Sequence, residues 1–181
     1  MENLINLHGH NFELFIKDLE IRDRIKSLGN QITEDYQKKD LIIIGVLNGA
    51  MIFLADLIRS IELPLELGTI RASSYIGAKS SGTVQVGKDF LPDVKGKDVI
   101  LVEDIVDTGK TLFELQKMIG EKGANSVSIA TLLYKPEAFA FNYPLNYVGF
   151  EIPNKFVVGF GLDYDELGRN LPAIYQIQTP D

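Results

Sequence analysis

At 181 residues, 45% hydrophobic and 24% charged, the chain is long enough to close a real core and has an ordinary globular composition. It contains no cysteine, which excludes disulfides, thiolate zinc sites and cysteine nucleophiles and suits a reducing compartment. A net charge of −7 argues against a nucleic-acid surface. It leaves anionic ligands open, because backbone N–H groups and metal ions can hold them.

The opening stretch, MENLINLHGHNFELF, lacks a basic segment followed by an apolar core, so no signal peptide is expected. No apolar run is long enough to cross a bilayer, and a cytoplasmic location is expected. His8 and His10 read as part of a loose, solvated arm. Apolar residues at Ile21, Ile25, Leu28, Ile32 and Tyr36 fall at helical spacing. LIIIGVL (41–47) is a continuous apolar run, as expected of a strand buried on both faces. Gly49 marks the turn into a helix over about 50–60, and LELGTIRASSY (65–75) reads as a further strand. IGAKSSGTVQVGK (76–88) has three glycines and no apolar period, which predicts a mobile loop or loose hairpin.

DVILVED (98–104) is a strand, 111–120 a helix with Gly123 as its stop, and SVSIATLLY (126–134) a strand. Short strands are expected near YVGFE (147–151) and KFVVGFG (155–161). Strands alternating with helices predict an α/β fold with a mostly parallel sheet covered on both faces. Ligands of such sheets bind at the carboxyl ends of the strands.

At one such end stands VILVEDIVDTGKTL (99–112). Glu103 and Asp104 close the strand, and Asp107 to Thr111 form the turn into the next helix. The first N–H groups of a helix lack internal partners and the dipole is positive there, so Thr108, Gly109, Lys110 and Thr111 form a candidate phosphate cradle. Carboxylates beside a phosphate would repel it unless they hold Mg²⁺ or bond sugar hydroxyls, and a phosphorylated sugar uses all these groups at once. The GKT triplet does not make an NTPase phosphate loop, because the glycine required five residues before Gly109 is Asp104. The plainer alternative has Asp107 and Thr108 capping a helix while Glu103 and Asp104 are solvated.

This stretch closely resembles the phosphoribosyl-pyrophosphate signature of type I phosphoribosyltransferases, and within them the hypoxanthine–guanine enzymes. Four further segments resemble the same family in order: GVLNGAMIF (45–53) its pyrophosphate loop, RASSY (71–75) the start of its lid, LLYKP (132–136) its base-pocket lysine, and VGFEIPNKFVVGFGLDY (148–164) its purine-binding segment.

The resemblance implies one phosphoribosyltransferase domain over 1–181, with about five parallel strands flanked by helices. A small hood would come from about 1–20 and 150–181, and a flexible lid from about 74–88. It implies Mg²⁺-dependent transfer of a phosphoribosyl group to a 6-oxopurine, as a homodimer or homotetramer. Asp107 would be the general base at purine N7. Glu103 and Asp104 would hold the ribose hydroxyls and the metal, and residues 108–111 the 5′-phosphate. Leu47, Asn48, Gly49, Ser74, Tyr75 and Arg169 would meet the pyrophosphate. Lys135 would donate to O6, Phe156 stack on the base, Val157 contribute its backbone, and Asp163 reach both a metal-bound water and the purine edge.

Asn48 departs from the family, which commonly has lysine there after a cis peptide bond, so pyrophosphate is expected to bind through backbone N–H groups. A non-enzymatic sensor of phosphoribosyl pyrophosphate would share the fold. Such a protein would need a DNA-reading module or a basic face, and this chain has neither, while Asp107, the lid and the base pocket point to catalysis.

Overall fold

In the computed structural model, residues 3–73, 85–86 and 91–178 are described. The chain order is β1 (Leu4–Leu7), β2 (His10–Ile16), α1 (Asp18–Asp35), β3 (Leu41–Leu47), α2 (Met51–Arg59), β4 (Leu65–Ser73) and β5 (Gln85–Val86). It continues with β6 (Asp98–Val106), α3 (Lys110–Glu121), β7 (Ser126–Tyr134), β8 (Tyr147–Glu151), β9 (Val157–Val158) and β10 (Ile174–Ile177). The larger sheet has the order β5-β4-β3-β6-β7-β8. Its neighbours from β4 to β8 all pair in parallel, and β5 adds antiparallel to β4. This is the expected α/β architecture with five parallel strands, and β6, carrying the acids, is the central one.

Alternation along the strands explains how a continuous apolar run serves two cores. In β3, Leu41 and Ile43 pack with Ile21, Ile25, Leu28, Ile32, Phe53 and Leu57 of α1 and α2. Ile42, Ile44 and Val46 pack on the opposite side with Leu112, Leu115 and Ile119 of α3. The helix predicted from Ile21 starts earlier, at Asp18, and places Asp18 and Glu20 in its first turn, where the positive end of the dipole favours them. Gly123, with φ 87°, follows α3 and donates its N–H to the Gly120 carbonyl at 2.9 Å.

A second, antiparallel sheet of order β1-β2-β10-β9 joins the beginning of the described chain to its end. Its own core is Phe12, Val158, Ala173 and Tyr175. Here the structure corrects the sequence reading: residues 4–16 are a paired hairpin, not a loose arm. The histidines at its turn have partners, with His8 Nε2 3.2 Å from the Asp165 carbonyl and the His10 ring 5.4 Å from that of Tyr164. The strand expected over 155–161 is also shorter, Val157–Val158, and it pairs with β10 in this second sheet, within the segment expected to form the hood.

Candidate active site

β6 runs two residues further than predicted, to Val106, so Glu103 and Asp104 lie within the strand and Asp107 is the first residue beyond its end. Glu103 accepts the Asp104 N–H at 3.3 Å, and Asp104 Oδ1 accepts the Ile105 N–H at 2.8 Å. Burial, then the neighbouring charge of Asp104, lifts the Glu103 carboxyl well above the usual range. Burial raises Asp104 as well, against the pull of its hydrogen bonds and of the Arg169 charge. Two adjoining, half-buried carboxylates call for a cation or for hydroxyl donors. This disagrees with the plainer reading of two solvated acids.

The expected phosphate turn closes at Gly109, whose φ of 83° is a left-handed conformation that glycine adopts without strain. A Cβ there would collide with the Phe139 ring and lie 2.7 Å from the Tyr143 hydroxyl. The Thr108 carbonyl accepts the Ala140 N–H at 3.1 Å, and the Tyr143 hydroxyl donates to the Gly109 carbonyl at 2.6 Å. Lys110 begins α3 and is exposed, Thr111 is half-buried, and the Lys110 N–H faces Thr108 Oγ1 at 3.5 Å.

Beside this turn, the Lys135 N–H donates to the Val106 carbonyl at 2.9 Å. That bond fixes the end of β7 next to the end of β6. Lys135 is only 7% exposed, and its Nζ lies 3.3 Å from Asp107 Oδ2. A buried lysine beside an exposed aspartate differs from the solvated surface lysine that a single strand-terminal Lys usually is.

The third part comes from residues 156–169. The Arg169 guanidinium pairs with Asp163 Oδ1 at 2.7 Å and donates to the Gly161 carbonyl at 2.9 Å. Asp163 Oδ2 accepts the Glu166 N–H at 2.9 Å. Gly161 also binds this loop to the Leu47–Asn48–Gly49 turn: a Cβ on Gly161 would overlap the Gly49 carbonyl, and one on Gly49 would overlap Asp104 Oδ2. The Leu47–Asn48 peptide bond is cis, and Asn48 is exposed. Phe156 is 43% exposed, with its ring 5.4 Å from that of Tyr164 and 6.5 Å from that of Phe12. It is no ordinary core aromatic. Val157 is buried, and its backbone pairs with Gln176.

The structure thus brings Gly49, Asp104, Asp163 and Arg169 together on one side and Asp107, Thr108, Gly109 and Lys135 on the other. Ser74, Tyr75 and most of the 74–88 segment lie outside the described residues. Tyr143 and Phe139, which wall the Gly109 turn, were missed by the sequence reading. The signal was the alternation of Phe139, Phe141 and Tyr143 in a stretch with no other period.

A parallel sheet whose central strand ends in paired acids and a glycine turn onto a helix has the layout of a nucleotide-handling α/β protein. Residues 16–165 match the phosphoribosyl transferase domain family, and the chain belongs to that family. It is 40% identical over 175 residues to the hypoxanthine phosphoribosyltransferase of Salmonella typhimurium, covering 95% of this chain and 98% of that one. To the hypoxanthine-guanine phosphoribosyltransferase of Streptococcus pneumoniae it is 47% identical over 156 residues, covering 86% of this chain and 87% of that one. The crystal structure of a hypoxanthine phosphoribosyltransferase from Staphylococcus aureus superimposes with a TM-score of 0.86 at 41% identity, covering 92% of this chain and 91% of that one.

Proposed function

We propose that this chain transfers the 5-phosphoribosyl group of phosphoribosyl pyrophosphate to N9 of hypoxanthine or guanine, giving IMP or GMP and pyrophosphate in purine salvage. The observation that carries the reading is the Lys135–Asp107 pair, an ammonium and a carboxylate 3.3 Å apart. On a 6-oxopurine, O6 and N7 are neighbours on one edge. A donor and an acceptor held side by side match them, Lys135 giving a hydrogen bond to O6 and Asp107 taking the proton from N7. Phe156, exposed and aromatic, offers a face for the ring.

As the N9–C1 bond forms, the bond from C1 to the pyrophosphate oxygen breaks, and positive charge builds on the ribose. The carboxylates of Glu103 and Asp104 stand where that charge and the ribose hydroxyls need acceptors. The 108–111 turn offers its N–H groups to the 5′-phosphate. Arg169 and the backbone of the 47–49 turn receive the pyrophosphate.

Half-buried, adjoining carboxylate oxygens fit Mg²⁺, a hard cation that takes one or two protein carboxylates and completes its shell with water and substrate phosphates. Glu103 and Asp104 would hold it, with Asp163 reaching one of its waters. Bound there, the ion would neutralise charge on the leaving pyrophosphate. Among the described residues no three acids or histidines stand close enough together to hold an ion. A cytoplasmic location is our reading of the sequence, and a homodimer or homotetramer is what the family resemblance implies; light scattering on the purified protein reads the second.

The test is turnover of phosphoribosyl pyrophosphate with each purine in turn, with Mg²⁺ and with EDTA. Nucleotide should form from hypoxanthine and guanine, cease in EDTA and return with Mg²⁺, and Asp163→Ala should raise the Mg²⁺ concentration needed. Undiminished turnover in excess EDTA would overturn the metal's role, and no nucleotide from any 6-oxopurine would overturn the function.

A further inference from the structure

A turn that binds phosphate must hide its carbonyl oxygens, since each is a partial negative charge that repels the ligand. In this chain the two carbonyls at the head of the turn are taken up from outside. The Thr108 carbonyl accepts the Ala140 N–H at 3.1 Å. The Gly109 carbonyl accepts two bonds, from the Phe113 N–H of the helix at 3.1 Å and from the Tyr143 hydroxyl at 2.6 Å. With both directions at that oxygen filled, the planar peptide between Gly109 and Lys110 has its rotation set, and its N–H points the opposite way. That N–H donates to Thr108 Oγ1 at 3.5 Å, a long bond that a phosphate oxygen would replace.

The same segment closes the turn sterically. Phe139 occupies the space a side chain at 109 would need, and its ring lies edge-on to Tyr143 at 5.1 Å. Phe141 stacks on Phe113 of α3 at 4.9 Å, so the segment is also fastened to the helix that the turn begins. Burial, followed by the charge of Glu103, pushes the Tyr143 phenol up to about 12. It therefore remains a donor throughout the working range of the enzyme.

We propose that segment 138–143 is an outer brace of the phosphate turn and that Tyr143 is a positioning residue for the 5′-phosphate, holding the Gly109–Lys110 peptide with its N–H turned to the ligand. The inference rests on the proposed transferase reading, because it assigns that turn to the 5′-phosphate. It separates Tyr143 from a merely structural tyrosine by ligand: only those carrying a 5′-phosphate should feel the loss of its hydroxyl.

The experiment uses the full chain and Tyr143→Phe, which keeps the ring and its packing. Steady-state constants for phosphoribosyl pyrophosphate and for hypoxanthine are measured, together with calorimetric binding of inosine 5′-monophosphate and of inosine. One uncharged hydrogen bond converts to about three- to tenfold in affinity. The KM for phosphoribosyl pyrophosphate and the Kd for inosine 5′-monophosphate should rise by that factor. The KM for hypoxanthine, the Kd for inosine and the melting temperature should hardly move. Unchanged constants for the phosphorylated ligands, or an equal rise for ligands with and without the phosphate, would overturn the brace while leaving the transferase reading intact. A wild-type protein that binds inosine 5′-monophosphate no better than inosine would overturn both.

Discussion

The parallel sheet and the hood solve different problems with differently arranged sequence. The sheet's central strand and the turn after it deliver Glu103, Asp104, Asp107 and Gly109 within seven consecutive residues. The proposed purine side would be assembled from pieces far apart in the chain: Lys135 from the end of β7, and Phe156 beside β9 with Phe12 and Tyr164 around it. Charge development needs acceptors fixed to one rigid element, whereas a flat apolar base needs walls on several sides. A short motif can encode the first and not the second.

The sharpest way to break that division of labour is through Lys135. A buried ammonium that pairs with O6 leaves two donors facing each other when the base is adenine. Sites built around one hydrogen bond reject the wrong partner by about 10⁴–10⁵-fold. The kcat/KM for hypoxanthine should exceed that for adenine by such a factor, and Lys135→Met should lose most 6-oxopurine activity while narrowing the gap. If adenine served as well as hypoxanthine in the wild type, the assignment of the purine side would be wrong.

Phe156 offers the next largest effect. Stacking of a base on an aromatic side chain contributes about 1–3 kcal/mol, so Phe156→Ala should raise the KM for hypoxanthine roughly 10–100-fold. The KM for phosphoribosyl pyrophosphate, bound on the other side, should shift far less. Equal rises in both would show that the hood and the sheet do not divide the ligands as argued.

These two regions were not equally legible. The five parallel strands followed from continuous apolar runs separated by helical spacing, and Ile42 and Ile43 show why: each core takes alternate residues of the same run. The extent of the hood came from the family resemblance, but its strands were hard to read from the residues because β1 and β9 are four and two residues long, and Phe15 interrupts the polar positions Asn11 and Glu13 of β2. Only β2's alternation of Phe12, Leu14 and Ile16 hinted at a strand, and its partner β10 lies at the far end of the described chain. The association of Gly161 with Gly49 could not be read either, since it is a backbone contact that leaves no trace beyond two small residues. Nor could the pairing of Arg169 with Asp163 be read, because the two meet through a loop rather than along a helix face.

The smallest expected effect lies in the stability of the free protein. Glu103 has its carboxyl raised, so the folded chain binds more protons than the unfolded one between the ordinary value of 4.5 and the raised value. Stability then falls as pH rises through that window, and the deficit persists above it. Glu103→Gln removes the half-buried charge, and at neutral pH it should raise the melting temperature of the ligand-free protein while impairing turnover. A lower melting temperature for that variant would show that the carboxylate is compensated within the fold and not held for a ligand.

The measurement closest to the central claim is the turnover of Asp107→Asn. Asparagine keeps the size and the polarity of the side chain but cannot take a proton. If Asp107 is the base at purine N7, kcat should fall by about 10²–10⁴-fold, while the KM for phosphoribosyl pyrophosphate changes little. A variant with near-normal kcat would contradict the account, because the residue that stands 3.3 Å from Lys135 at the end of the central strand would then have no part in the chemistry.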